Sequence, residues 1–137
     1  MVEDNSNDAE LMIHSLKKNH LANKLIVLTD GEQALDYIFC KGEYAKRDPG
    51  EIPKVIFLDL KLPKIGGMEI LEQVKTNTKT KNIPVVIVTS SKEDPDIKTA
   101  YNLGANSYVV KPVDFDNFTE TINQLGLYWL VTNENNK

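Results

Sequence analysis

The chain has very little cysteine, and it lacks both a long hydrophobic run and a dense basic segment. Cys40 is the single cysteine among 137 residues, so an internal disulfide is excluded, and no cysteine and histidine cluster has zinc-site spacing. No apolar run approaches the length of a membrane span. The opening MVEDNSNDAE is acidic where a secretion signal would be basic and then apolar. We therefore expect a cytoplasmic protein with no membrane segment.

Charge and length exclude further classes of function. The 20 acidic residues outnumber the 16 basic ones, for a net charge of −4, and the absence of a basic stripe argues against nucleic acid as a ligand. Residues 1–137 have the usual length of one domain. No stretch after the last predicted helix is long enough for a DNA-binding or catalytic effector domain. The sequence predicts a single domain.

Helix-like and strand-like segments alternate along the chain. Helical periodicity occurs near residues 6–19, 34–38, 68–74, 95–104 and 114–129, and short apolar runs predict strands at 25–28, 55–59, 85–89 and 107–110. Three of these runs are continuously apolar, as is typical of strands covered on both faces. The alternation predicts a doubly wound parallel α/β sheet.

Chemically active side chains follow the predicted strands. Asp59, Thr89 and Lys111 lie at strand carboxyl ends, as do Glu3 and Asp4 if the first two residues end a strand, and ligands of such sheets bind at this edge. Two carboxylates about 4 Å apart repel by roughly 4 kcal/mol at an effective dielectric near 20, so a cation must join them. Mg²⁺ prefers such oxygen ligands. The set predicts a site that holds a phosphoryl group, with Asp59 as the nucleophile.

Four motifs in a fixed order carry a family resemblance. VEDN, LDLKLP, VTSS and YVVKP resemble the strand-end motifs of receiver domains of two-component response regulators, over almost the whole chain. The resemblance implies a flavodoxin-like sheet of five strands in the order 2-1-3-4-5. Only Met1 and Val2 precede the acidic pair, so we expect a truncated first strand, either because the chain is a trimmed version of a longer one or because pairing is supplied unusually.

The resemblance also implies a role for each site residue. Asp59 would be the phosphoacceptor. Mg²⁺ would be held by Glu3, Asp4, Asp59 and the backbone carbonyl of Lys61. Thr89 and Lys111 would bind the phosphoryl group, Thr89 and Tyr108 would form the switch pair, and the Lys111–Pro112 peptide would be cis. Catalysis would be limited to self-phosphorylation from a donor and self-dephosphorylation.

Weaker signals indicate a subfamily and its partners. TDGEQALDYIF, the connection CKGEYAKRDPGEIP and the long last helix ending in LYWL resemble the stand-alone regulators of bacterial phytochrome kinases. This implies a sensor histidine kinase, with a phytochrome as the candidate, and a downstream protein partner. The consecutive residues Tyr128, Trp129 and Leu130 cannot all face the core, which predicts a homodimer or partner contact through the last helix.

Other interpretations of the same residues stay open at this point. Asp59 alone could cap a turn, Tyr108 could be an ordinary strand aromatic, and Glu3 and Asp4 could be a solvated helix lead-in. A phosphohydrolase of the haloacid-dehalogenase type also uses a strand-end aspartate, but it requires a second aspartate two residues later as general acid, where this chain has Lys61. A flavodoxin-like cofactor site would need a phosphate-cradling loop, and EDNSND contains no glycine.

Overall fold

The computed structural model describes residues 1–18 and 25–125. The helices are α1 (Ser6–Lys18), α2 (Gly31–Ile38), α3 (Gly67–Thr76), α4 (Asp94–Asn102) and α5 (Phe115–Gln124), with a 3-10 helix at Gly42–Tyr44. The strands are β1 (Ile56–Leu58), β2 (Val85–Thr89) and β3 (Ser107–Val110). The LYWL end predicted for the last helix lies outside the described residues. In the part of the chain that the structure describes, no helix has the length and apolar character needed to span a membrane.

The parallel sheet has the predicted strand order. β2 pairs in parallel with β1 on one side and with β3 on the other. Val2 forms parallel bridges with both Leu28 and Leu58, so the rows run Leu28, Val2, β1, β2 and β3. Counted along the chain, this is the order 2-1-3-4-5, and the doubly wound fold is confirmed.

The first two rows of the sheet are single-residue bridges in the structure. The backbone N–H of Val2 donates to Phe57 at 2.7 Å, and the N–H of Asp59 donates back to Val2 at 3.1 Å. On the other side, the N–H of Glu3 donates to Leu28 at 2.9 Å. The row that Val2 forms, which is the first strand along the chain, is therefore short, as predicted. The prediction of a regular strand at residues 25–28 is wrong in its length, because this segment forms a β-bridge only at Leu28.

The two faces of the sheet bury two separate hydrophobic clusters because alternate strand residues point in opposite directions. On one face, residues of β1 and β2 pack with α2, α3 and α4 in a cluster that includes Leu58, Ile87, Ala34, Leu71 and Ala100. On the other face, the intervening strand residues pack with α1 and α5 in a cluster that includes Phe57, Val88, Met12, Leu16 and Phe118. The second cluster holds α1 beside the carboxyl end of the sheet's central rows.

The connection between α2 and β1 is held by Arg47. Its guanidinium donates from Nε to the carbonyl of Tyr37 at 2.9 Å, donates from a second nitrogen to Ile38 at 3.3 Å and also contacts the carbonyl of Glu51. It lies 4.5 Å from the ring centroid of Tyr37, which is a cation–π distance. These contacts satisfy carbonyls at the end of α2, where a helix leaves them without helical partners.

Candidate phosphoacceptor and metal site

The carboxyl ends of the parallel rows bring the predicted residues to one edge. Asp59 directly follows β1, Thr89 is the last residue of β2, and Lys111 directly follows β3. Glu3 follows the bridge residue Val2. Since parallel strands end on the same side, the sequence-predicted rim is formed by the fold itself. The peptide bond between Lys111 and Pro112 is cis.

Lys111 lies at the centre of this rim. Its ammonium Nζ lies 2.5 Å from Oε1 of Glu3, 2.9 Å from Oδ2 of Asp59 and 2.9 Å from Oδ2 of Asp8. Glu3 and Asp59 are buried, and the Lys111 side chain is only 11% exposed. An ammonium has three donors, and all three find a carboxylate here. The buried negative charges are therefore paired rather than isolated.

Burial and hydrogen bonding act against each other on these groups. Burial acts to raise the pKa of Asp59, but hydrogen bonds from Lys111 and from the backbone of Lys61 outweigh it, so this pKa is lowered. For Glu3, burial outweighs the hydrogen bonds from Lys111 and Asn5, so its pKa is raised. Burial acts to lower the pKa of Lys111, but its three carboxylate partners raise it overall. Asp59 is thus an ionised carboxylate beside a charged ammonium at neutral pH.

Three carboxylates at the rim could hold a metal ion. Ligand oxygens of Glu3, Asp4 and Asp59 all lie within 4.8 Å of one another. Asp4 is exposed, whereas Glu3 and Asp59 are buried, so the cluster opens to solvent on one side. The backbone N–H of Lys61 donates to Oδ1 of Asp59 at 3.2 Å, which places the Lys61 backbone beside the same carboxylate. An all-oxygen set with a solvent side suits a hard divalent cation that keeps part of its water shell.

Thr89 and Tyr108 differ in whether their hydroxyl groups have a hydrogen-bond partner. Thr89 is fully buried, and its Oγ1 has no hydrogen-bond partner among the described residues. The hydroxyl of Tyr108 donates to the backbone carbonyl of Ser91 at 2.9 Å. The hydroxyl of Ser91 in turn donates to Oδ2 of Asp96 in the first turn of α4 at 2.5 Å. The tyrosine ring is therefore tied to the segment that joins Thr89 to α4.

Gly67 lets α3 begin directly against the phosphoacceptor segment. A Cβ atom at Gly67 would lie 2.1 Å from the carbonyl oxygen of Asp59 and 2.7 Å from Cα of Leu60. At the neighbouring Gly66, the nearest heavy atom to such a Cβ would be 3.8 Å away. Of these two glycines, only Gly67 is therefore required by the close approach of the backbone.

Sequence reasoning missed one residue of the rim. Asp8, in the first turn of α1, binds Lys111 although it follows no strand. No local sequence signal places it there, because Asp4 precedes α1 and the approach of α1 to the rim depends on packing against the sheet. Of the two histidines, His14 is exposed on α1, and His20 lies outside the described residues.

Comparisons with known proteins agree with this geometry. Residues 1–123 match the response regulator receiver domain family. The chain is 34% identical over 132 residues to the response regulator Rcp1 of Synechocystis sp., covering 96% of this chain and 88% of Rcp1. The Mn²⁺-bound crystal structure of Rcp1 is similar, with a TM-score of 0.78, 34% identity and coverage of 94% of this chain and 91% of that one.

Two further solved structures resemble the chain. The bacteriophytochrome response regulator RtBRR has a TM-score of 0.82 and 49% identity, covering 91% of this chain and 75% of that one. The phosphorylated cyanobacterial phytochrome response regulator RcpA has a TM-score of 0.79 and 33% identity, covering 96% of this chain and 91% of that one. The match does not favour the phosphohydrolase alternative, which also lacks its general acid because Lys61 stands at that position.

Proposed function

The chain belongs to the family of response regulator receiver domains, and from this premise we propose that Asp59 is its phosphoacceptor. A receiver domain of a two-component system is a signalling switch and not a classical enzyme. The observation that carries the assignment is the contact between Lys111 and Asp59, at 2.9 Å in a buried site. The ammonium keeps Asp59 ionised and so keeps it nucleophilic. It also lies where the negative charge of a phosphoryl group would develop.

We propose Mg²⁺ as the metal, held by Glu3, Asp4, Asp59 and the backbone carbonyl of Lys61. The oxygen cluster supports a hard cation, and Mg²⁺ commonly combines one or two carboxylates with water and a phosphate oxygen. When bound, the ion supplies positive charge that neutralises phosphoryl oxygens. The protein holds the carboxylates in place: the Asn5 N–H donates to Glu3 at 3.2 Å, and the Lys61 N–H donates to Asp59.

Thr89 and Tyr108 are proposed as the switch pair. The buried, unpartnered hydroxyl of Thr89 is a donor without an acceptor among the described residues, and a phosphoryl oxygen on Asp59 would provide one. Since Thr89 and Ser91 lie on one short segment, a shift of Thr89 would move the carbonyl that binds Tyr108. The change would then reach the surface formed by α4, β3 and α5.

Partners and cellular setting follow from the same assignment. We propose a sensor histidine kinase as the phosphodonor, with a phytochrome as the candidate because the phytochrome response regulators RtBRR and RcpA resemble this chain over most of its length. Residues 1–137 would act as one receiver domain in the cytoplasm, where the lone Cys40 stays reduced. Output would pass through a downstream protein partner, and the residues after 125 remain the predicted place of a homodimer contact. Self-phosphorylation and self-dephosphorylation complete the proposed cycle.

The test is incubation with a small acyl phosphate and Mg²⁺, followed by intact-mass measurement. The wild-type chain should gain one phosphoryl group, Asp59→Asn should gain none, and chelation of the metal should abolish the gain. Asp36→Asn on α2 is the matched control and should behave as wild type. An adduct on both wild type and Asp59→Asn, or on neither, would contradict the assignment.

A further inference from the structure

One partner of Lys111 lies outside the proposed metal site. The ammonium binds Glu3 and Asp59, which belong to the three-carboxylate cluster, and it also binds Asp8, which does not. The Asp8 side chain is 32% exposed, compared with 3% for Glu3 and 7% for Asp59. Asp8 therefore offers Lys111 a carboxylate at the solvent side of the rim.

Lys111 and a divalent cation compete for the same oxygens. Two of the three donors of the ammonium are directed at Glu3 and Asp59. Positive charges that share buried carboxylates repel strongly, because solvent screens them poorly there. Lys111 must therefore give up its close contacts with Glu3 and Asp59 when these carboxylates bind a metal ion.

We infer that Asp8 is a positioning residue: it keeps the Lys111 ammonium near the site when Glu3 and Asp59 bind a metal ion. This inference rests on the metal site of the proposed function. Among the described residues, Asp8 is the one carboxylate that binds Lys111 without belonging to the cluster. With Asp8 present, Lys111 can withdraw without losing all its anionic partners, so metal binding is less costly. Asp8 thereby favours both the metal and a nearby ammonium.

The position of Asp8 in α1 leaves its carboxylate available for this role. Oδ1 of Asn5 accepts a hydrogen bond from the backbone N–H of Asp8 at 3.0 Å, so Asn5 provides the side-chain cap at the start of α1. The helix itself is held by Met12 and Leu16, which are buried against the sheet. The anchoring of α1 therefore does not depend on the Asp8 carboxylate. The contact between Asp8 and Lys111 can change when the site binds a metal ion without loosening the helix.

Calorimetric titration with Mn²⁺ and with Mg²⁺ tests the inference on the whole chain. Asp8→Asn should weaken metal binding by about threefold to fivefold, the range of a partly exposed ion pair. Glu10→Gln, which removes the same charge from an exposed position on the same helix, should have a smaller effect. In a Lys111→Met background, Asp8→Asn should change the affinity for the metal ion by less than about 1.5-fold, because Asp8 then has no Lys111 ammonium to bind.

Two outcomes overturn the inference while leaving the metal site intact. One is an equal effect of Asp8→Asn in the wild-type chain and in the Lys111→Met variant, which would mean that Asp8 acts only as a distant charge. The other is unchanged or tighter metal binding in Asp8→Asn. If the wild-type chain binds neither ion, the proposed metal site itself fails, and this is a separate result.

A second measurement keeps the inference testable if the Lys111→Met variant does not fold. The ¹⁵N ammonium signal of Lys111 should persist in the wild type at saturating Mg²⁺, because a carboxylate still holds the group and slows exchange with water. In Asp8→Asn it should be lost at saturating Mg²⁺ but present without metal. Persistence of the signal in both proteins would overturn the role of Asp8, as would its loss in both.

Discussion

Replacing Thr89 with valine tests the most unusual polar group of the site. The substitution keeps the shape of a fully buried side chain and removes a hydroxyl that has no partner among the described residues. An unsatisfied buried hydroxyl costs about 1–3 kcal/mol in mutational data, so Thr89→Val should raise the free energy of unfolding by about 1 kcal/mol. Valine also suits a buried strand such as β2 at least as well as threonine.

Thr80 provides the matched control with the opposite sign. It is also buried, but its hydroxyl donates to the carbonyl of Val74 at 2.7 Å. Thr80→Val should therefore lower the free energy of unfolding by about 1–2 kcal/mol, since it leaves a carbonyl unpaired. The two variants make the same chemical change in the core, and only the hydrogen-bond partner differs.

Urea unfolding followed by circular dichroism separates the two variants. With a slope of about 1–3 kcal/mol per molar urea, the midpoint should rise by about 0.3–1 M for Thr89→Val and fall by about 0.3–2 M for Thr80→Val. Thr89→Val should also retain a phosphoryl group less well, because it removes the proposed donor. A Thr89→Val protein that is destabilised as much as Thr80→Val would refute the reasoning, since the hydroxyl would then have a partner.

Three further substitutions have outcomes set by single contacts. Gly67→Ala should cost about 1–3 kcal/mol of folding free energy and slow phosphorylation, because its Cβ would overlap the Asp59 backbone. The control Gly66→Ala should cost under about 1 kcal/mol, and urea unfolding measures both variants. Lys111→Met should raise the pKa of Asp59, measured by ¹³C NMR titration, because burial then acts unopposed by the ammonium. In the wild type, the Asp59 carboxylate adds stability that is present above pH about 4 and is lost as the pH falls through its lowered pKa. Lys75→Met should cost about 1–3 kcal/mol in urea unfolding, because its ammonium binds three oxygens between α3 and the starts of β2 and β3.

Much of the site could be predicted because its residues directly follow strands that the sequence marks clearly. Continuous apolar runs mark β1 and β2, and the residue after such a run must emerge at the carboxyl edge of a parallel sheet. The positions of Asp59 and Thr89 follow from this rule without any knowledge of packing. Asp8 could not be found in this way, since it lies on a helix and no local pattern states which strand end that helix will approach.

The edge row of the sheet was less predictable for a related reason. Residues 25–28 are as apolar as a buried strand, yet Ile26 and Val27 are 44% and 40% exposed, and the pairing is limited to a bridge at Leu28. An apolar run indicates the tendency to form a strand, but hydrogen bonding requires a partner of matching length. Here the neighbouring row offers only the backbone around Val2.

The sequence by itself determined the doubly wound sheet, the order of its motifs and the acidic, hydroxyl and ammonium groups at its carboxyl edge, because hydrophobic periodicity and strand ends are local properties. Tertiary structure alone decided how those charges are shared. Packing of Met12 and Leu16 against the sheet brings α1 to the rim, and this places Asp8 beside Lys111 together with Glu3. Distances between charges depend on how distant segments pack, and a change of a few ångströms decides which carboxylate holds the ammonium.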